Sequence, residues 1–196
     1  MTLLIAGIDE AGRGSLAGPV VAAVVIFKPS QDKSKYTDSK LLKPAQREAL
    51  FEQIISESFA YGIGVIDNLI IDKINILQAN HLAMKKALHK LGHNPDVVLI
   101  DGNQQVPELP FKQKTVVKGD LRVPVISAAS IVAKVVRDRI MSGYGKVYAD
   151  YCFDIHKGYG TALHYEKIDL YGLCPIHRVS FNKKFFSQQL EMFRMA

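Results

Sequence analysis

"GIDEAGRGSLAGPVVAAVVIF", residues 7–27, decides how this chain is read. Its second half, 18–27, is continuous, apolar and β-branched. That is the pattern of a strand buried on both faces. Its first half ends a shorter apolar run, residues 3–8, on two adjacent carboxylates, Asp9 and Glu10. Gly12, Gly14 and Gly18 make the connection a turn region, and that turn carries a cation, Arg13.

Outward from this stretch, residues 28–43 are polar and lysine-rich and read as a surface loop. Pro44 opens an amphipathic helix over 44–59. Residues 61–67 read as a strand. A second helix over 74–91 carries Leu77, Met84, Leu88 and Leu91 on one stripe, and Gly92 stops it. Residues 96–102 and 114–120 read as strands that end on Asp101 and Asp120. A helix over 123–139 is entered through Pro124, and further helices are expected near 161–170 and 183–194. Strands first, then strands mixed with helices, predict an α/β layered domain with a mixed sheet flanked by helices. One domain over 1–196 is expected, with residues from about 144 onward as a C-terminal helical region.

With 196 residues, 48% of them hydrophobic, the chain can bury a substantial core. Its formal net charge of +6 and pI near 9.2 favour a polyanionic partner such as nucleic acid. Two cysteines, Cys152 and Cys174, are too few for a disulfide framework or a zinc cluster, so a reducing compartment is expected. The N-terminus has no basic n-region and reaches Asp9 too early for a signal peptide. The longest apolar stretch, 19–27, is far short of a membrane span, and a cytoplasmic location is expected. No GxSxG, Walker A or dinucleotide fingerprint is present.

Three strand ends thus carry acids: Asp9 with Glu10, Asp101, and Asp120. Carboxylates that converge repel one another unless cations sit between them, and hard divalent ions take oxygen ligands. Each acid taken alone also suits a helix cap or a turn, and spacing leaves both readings open. In the helix after Asp120, Ser127, Ser130, Lys134 and Arg137 step along one face, which suits phosphate contacts or a solvated basic surface. "HKGYGT" sets Tyr159 between two glycines, where its ring can stack on a base or sugar or close an ordinary turn. In "TDSK", Ser39 and Lys40 offer a hydroxyl and an ammonium to phosphate. His89 and His93 read as surface residues. His164 and His177 border the Tyr159 loop and the "CPIHRVSF" stretch.

The blocks "GIDEAGRGSLAGPVVAA", "TDSK", "INILQANHLAM", "LIDG", "KGD", "ISAASIVAKVVRDR", "HKGYGTALH" and "PIHRVSF" occur in one order over residues 4–181. Together they resemble the ribonuclease HII family. The resemblance implies a ribonuclease H-like fold and cleavage of the RNA strand of RNA–DNA hybrids. It also implies incision 5′ of single ribonucleotides embedded in duplex DNA, leaving 3′-hydroxyl and 5′-phosphate ends. By the same resemblance Asp9, Glu10, Asp101 and Asp120 are catalytic metal ligands, and Gly12, Arg13 and Gly14 form the family's glycine–arginine–glycine turn. Tyr159 matches its junction-sensing tyrosine.

Such hydrolysis suits two divalent ions, Mg²⁺ or Mn²⁺, one activating water and one on the leaving oxygen. The glycine turn can approach a ribose whose 2′-hydroxyl both donates and accepts, with Arg13 on the neighbouring phosphate. The expected partners are RNA–DNA hybrid and ribonucleotide-containing DNA, met by a monomer and no membrane.

The chain departs from the family at Leu41, which cannot hold phosphate, and at Lys43, a poor helix cap. Its C-terminus lacks the paired aromatics of a sliding-clamp peptide, so a clamp partner is doubtful. A ribonuclease HIII-like enzyme is the nearest alternative, but Arg13 stands where that family typically has lysine. A non-catalytic binding module is the alternative from another class, and the four acids argue against it.

Overall fold

The computed structural model describes residues 3–28, 36, 43–185 and 187. Ser39, Lys40, Leu41 and most of the lysine-rich loop lie outside them, as do residues 186 and 188–194 of the expected last helix.

Five strands form one mixed sheet in the order β3-β2-β1-β4-β5. They are β1 (Ile5–Ala11), β2 (Val20–Ile26), β3 (Ala60–Ile66), β4 (Val97–Asp101) and β5 (Lys112–Val116). The pairs β1–β2 and β2–β3 are antiparallel, while β1–β4 and β4–β5 are parallel. Every residue of β2 is buried, as its uninterrupted apolar, β-branched-rich sequence predicts.

Helices cover both faces of the sheet. Side chains alternate along a strand, so Val20, Ala22, Val24 and Ile26 pack with Ala83, Met84 and Ala87 of α2 (Asn68–Lys90). On the other face Ala23, Val25 and Phe27 pack with Phe51 and Ile54 of α1 (Pro44–Glu57) and with α3 (Pro124–Val147). A Cβ at Gly7 would lie 2.4 Å from the Val125 carbonyl oxygen, so this glycine lets α3 cross β1 in close contact. Two short helices, α4 (Phe153–His156) and α5 (Ala162–Tyr171), come after α3. Among the described residues, no helix is long and apolar enough to cross a membrane.

Several boundaries differ from the sequence reading. β1 runs through Asp9 and Glu10, which pair with Ala23 and Ala22 inside the strand instead of following it. β5 stops at Val116; Lys118 then turns left-handed (φ 56°), and Asp120 sits in a 3₁₀ turn, Gly119–Leu121. The helix expected from residue 74 is the second part of α2. Asn75 breaks the helical path (φ 65°, ψ 165°), and its Oδ1 accepts from the Leu77 and Gln78 N–H groups, capping that second part. Of the expected stripe, Met84, Leu88 and Leu91 are buried, whereas Leu77 is only half-buried. α3 extends two turns past residue 139, and within that extension Gly145 admits α4: a Cβ there would lie 2.9 Å from the Asp154 nitrogen.

Candidate active site

Alternation sends the two acids of β1 to opposite faces of the sheet. Asp9 turns toward α3, where Ser130 is a hydrogen-bond donor to it. Glu10 turns toward α2, where Asn80 donates to it. Asp101 ends β4, the parallel neighbour of β1, and its Oδ1 accepts from the Gly119 N–H at 2.7 Å and, more weakly, from the Asp120 N–H at 3.4 Å. Asp120 is buried beside it. The three acid-bearing segments therefore meet at the C-terminal ends of β1 and β4, in the middle of the sheet.

The electrostatics fit this crowding. Burial, then the neighbouring Glu10 and Asp101 charges, holds the Asp9 carboxyl well above the usual carboxylate range. Burial raises Glu10 as well, against the pull of Arg13, whose Nη1 lies 3.0 Å from its Oε1. Among the described residues, no three His, Cys, Asp or Glu side chains gather closely enough to form a ready-made metal cage. The reason lies in their partners: Glu10 leans on Arg13 and Asp101 on the Gly119 amide, so protein donors relieve the repulsion. An all-oxygen set of neighbouring carboxylates, Asp9 and Asp120 buried and Glu10 and Asp101 half-buried, still matches the donor chemistry of a hard divalent cation.

Beside the acids opens a cleft of about 330 Å³, lined by Glu10, the Gly12–Arg13–Gly14 turn, Arg47, Ser130, Lys134 and Tyr159. Lys134 Nζ and Arg137 Cζ lie 5.0 and 4.8 Å from the centroid of the half-buried Tyr159 ring. Arg13 and Gly14 are exposed, and Gly14 has no atom within 4 Å of where a Cβ would stand. Gly12 is buried at φ +93°, and a Cβ there would strike the Arg137 side chain.

The helical stripe divides. Ser130 and Lys134 face the cleft as expected. Arg137 is fully buried, which corrects its reading as a phosphate contact. Its guanidinium donates to the carbonyls of Pro19 (3.1 Å), Lys157 (2.9 Å) and Ala17 (3.3 Å) and to Ser15 Oγ (2.7 Å). Ser127 is also buried, and its hydroxyl makes no hydrogen bond among the described residues, so it presents nothing to a surface ligand.

Sequence reasoning missed three participants. Asn80 supports Glu10, Arg47 lines the cleft from α1, and Arg178 shapes the turn from beneath. The Arg178 guanidinium donates to Gly12 O (2.7 Å), Arg13 O (2.9 Å) and Gly18 O (3.0 Å). Burial, with Arg137 nearby, lowers it to about 9, so it stays charged at neutral pH. The signal for Asn80 and Arg178 is weak: each is one of a pair of polar residues flanked by apolar ones, in "ANHLAM" and "IHRVSF".

The profile of the family described as Ribonuclease HII matches residues 6–184. The Ribonuclease HII of Clostridioides difficile (strain 630) is 52% identical over 181 residues, 92% of this chain and 71% of that protein. The solved ribonuclease H2 from Pyrococcus horikoshii OT3 superposes with a TM-score of 0.79 at 27% identity, covering 95% of this chain and 98% of that one. Bst-RNase HIII, solved with Mn²⁺, shares the fold at a TM-score of 0.76 and 20% identity, over 94% of this chain and 70% of that one.

Proposed function

The chain belongs to the ribonuclease HII family, endoribonucleases that act on RNA–DNA, and from that premise we propose that it incises duplex DNA on the 5′ side of a single embedded ribonucleotide. The products are a 3′-hydroxyl and a 5′-phosphate. The observation that carries this reading is the single cleft shared by an acid, a glycine–arginine–glycine turn and Tyr159.

Asp9, Glu10, Asp101 and Asp120 would hold two divalent cations, Mg²⁺ or Mn²⁺. When bound, these supply charge neutralisation and a water acidic enough to attack phosphorus at neutral pH. The protein's own groups place the substrate. Gly14 leaves room for a sugar against bare backbone, where a 2′-hydroxyl finds both a donor and an acceptor. Arg13 leaves Glu10 for the adjacent phosphate once that carboxylate is otherwise neutralised. Lys134 and Arg47 add positive charge along the strand path, and the Tyr159 ring stacks on the neighbouring sugar.

The test is an end-labelled DNA duplex with one ribonucleotide, beside an all-DNA duplex, incubated with Mg²⁺ and then Mn²⁺. Cleavage is expected only 5′ of the ribonucleotide, and Asp120→Asn should lose it by about 10³-fold or more while the protein stays folded. A folded protein that cuts neither duplex with either ion would refute the proposal.

A further inference from the structure

Three buried histidines lie behind Tyr159, and the chemistry proposed above uses none of them. His156, His164 and His177 are all nearly inaccessible to solvent. The rings of His156 and His164 stack with centroids 4.1 Å apart, and those of His164 and His177 are 5.2 Å apart.

Their hydrogen bonds fix which nitrogen carries each proton. The Cys174 N–H points at His177 Nδ1 from 2.9 Å, so a proton on Nδ1 would set donor against donor. The longer contact to the Cys174 carbonyl, 3.2 Å, does not outweigh that. His177 therefore carries its proton on Nε2, which faces His164 Nε2 at 3.1 Å. His164 accepts there, keeps its proton on Nδ1 and donates it to the Tyr159 carbonyl at 3.0 Å. His156 works in the same way: Nδ1 accepts from the Gly158 N–H at 3.1 Å, and Nε2 donates to the Tyr151 carbonyl at 2.7 Å. The chain of bonds from Cys174 to Tyr159 holds only while His164 and His177 are both neutral.

The next residue along from His177 is Arg178, which grips the carbonyls of Gly12 and Arg13. Two consecutive residues thus hold the two opposite lips of the cleft. The main chain reinforces them: Arg178 N–H donates to Leu16 O and Leu16 N–H to Gly158 O, each at 2.8 Å.

We propose that His177–Arg178 is a positioning strut that sets the gap between the glycine–arginine–glycine lip, held by Arg178, and the Tyr159 lip, held by His177 through His164. The gap is the measure of a ribonucleotide, so the strut governs selectivity without touching the substrate. The proposal rests on the reading of this cleft as the ribonucleotide-sensing site.

The experiment compares His177→Phe, which keeps a ring but removes the donor, with His177→Gln, whose amide restores a donor near the place of Nε2. Both are made with Tyr159 intact and with Tyr159→Ala, and both are assayed on a duplex with one ribonucleotide and on a continuous RNA–DNA hybrid. His177→Phe is expected to lower kcat on the single ribonucleotide about tenfold, with the hybrid rate less affected. His177→Gln should recover most of that loss, and His177→Phe should cost almost nothing more once Tyr159 is Ala. An equal loss in both backgrounds would make His177 merely structural and overturn the proposal. Tyr159→Ala with parental selectivity would instead refute the reading of the cleft, and the strut with it. Ring ¹⁵N shifts of the parent protein give an answer independent of activity. At pH 7 they should report Nε2–H for His177 and Nδ1–H for His164, and either reversed tautomer, or a charged ring, would sink the relay.

Discussion

Replacing Gly14 with alanine separates a glycine kept for the fold from one kept for a ligand. Nothing lies within 4 Å of the added methyl, and Gly14 is not among the glycines at positive φ. The folded protein therefore accepts Gly14→Ala without strain. Because alanine restricts the unfolded chain more than glycine does, stability should rise by about 0.4–1 kcal/mol, or roughly 1–4 °C in Tm. Activity should move the other way. A sugar packed on the backbone at Gly14 would be pushed back by about 1 Å, and a displacement of that size costs about 10²-fold in rate. Thermal denaturation and single-turnover cleavage of the one-ribonucleotide duplex measure the two effects on one sample. Parental cleavage by a folded Gly14→Ala enzyme would show that no substrate approaches this backbone, and the ribose-reading role of the turn would fall. Gly12→Ala is the control with the opposite signature: its methyl would sit 2.0 Å from Arg137 Nε, so the fold itself should suffer.

Arg137→Met should behave as a core lesion, because it strands four buried acceptors; we expect a loss of about 3–5 kcal/mol, roughly 10 °C in Tm. Below its melting range the variant should keep the parental slope of log affinity against log salt, whereas a lost phosphate contact would flatten that slope by about one. Stability should also fall in acid through the histidines. Burial lowers His164 to about 3 and His177 to about 4, from 6.5 for a free ring. The unfolded chain takes up protons that the folded one refuses, so this contribution is complete above pH ~6.5 and is lost as pH drops toward 4 and then 3. At about 1.4 kcal/mol per unit the coupled pair should cost several kcal/mol. Urea titrations between pH 7 and 4 on the parent and on His177→Gln isolate the effect; equal pH slopes in the two would contradict it.

Much of the fold was legible because the informative residues answer to local rules. The continuous apolar run of β2 has no alternative to full burial, Pro44 and Pro124 mark helix starts, and the acids do come together at the C-terminal ends of β1 and β4. The site was less legible where one element covers another. A spacing of three and four residues puts Ser127, Ser130, Lys134 and Arg137 on one side of a helix, but it cannot say that the 15–19 turn and Lys157 lie over Arg137. Asp120 looked like a strand end because nothing in "VVKGD" announces that Lys118 turns left-handed. The helix expected over 123–139 runs on to Val147, through Gly143 and Gly145, and Gly145 meets α4 closely there. Arg178 was invisible for a simpler reason: its partners are 160 or more positions away.

That separation matters for the order in which the protein becomes an enzyme. Asp9 and Glu10 are made well before Arg178, and their strand can pair with β2 almost at once. The turn beside them takes its shape only when Arg178 arrives beneath it. At ribosomal speeds of about 5–20 residues per second, the intervening chain takes roughly 8–33 s to synthesise. For that interval the growing polypeptide has Asp9 and Glu10, and only in its later part Asp101 and Asp120, but not the Arg178 contacts that shape the turn beside them. The shape of the glycine–arginine–glycine turn is thus a long-range and late-forming property of the chain, and on the function proposed above so is its selectivity.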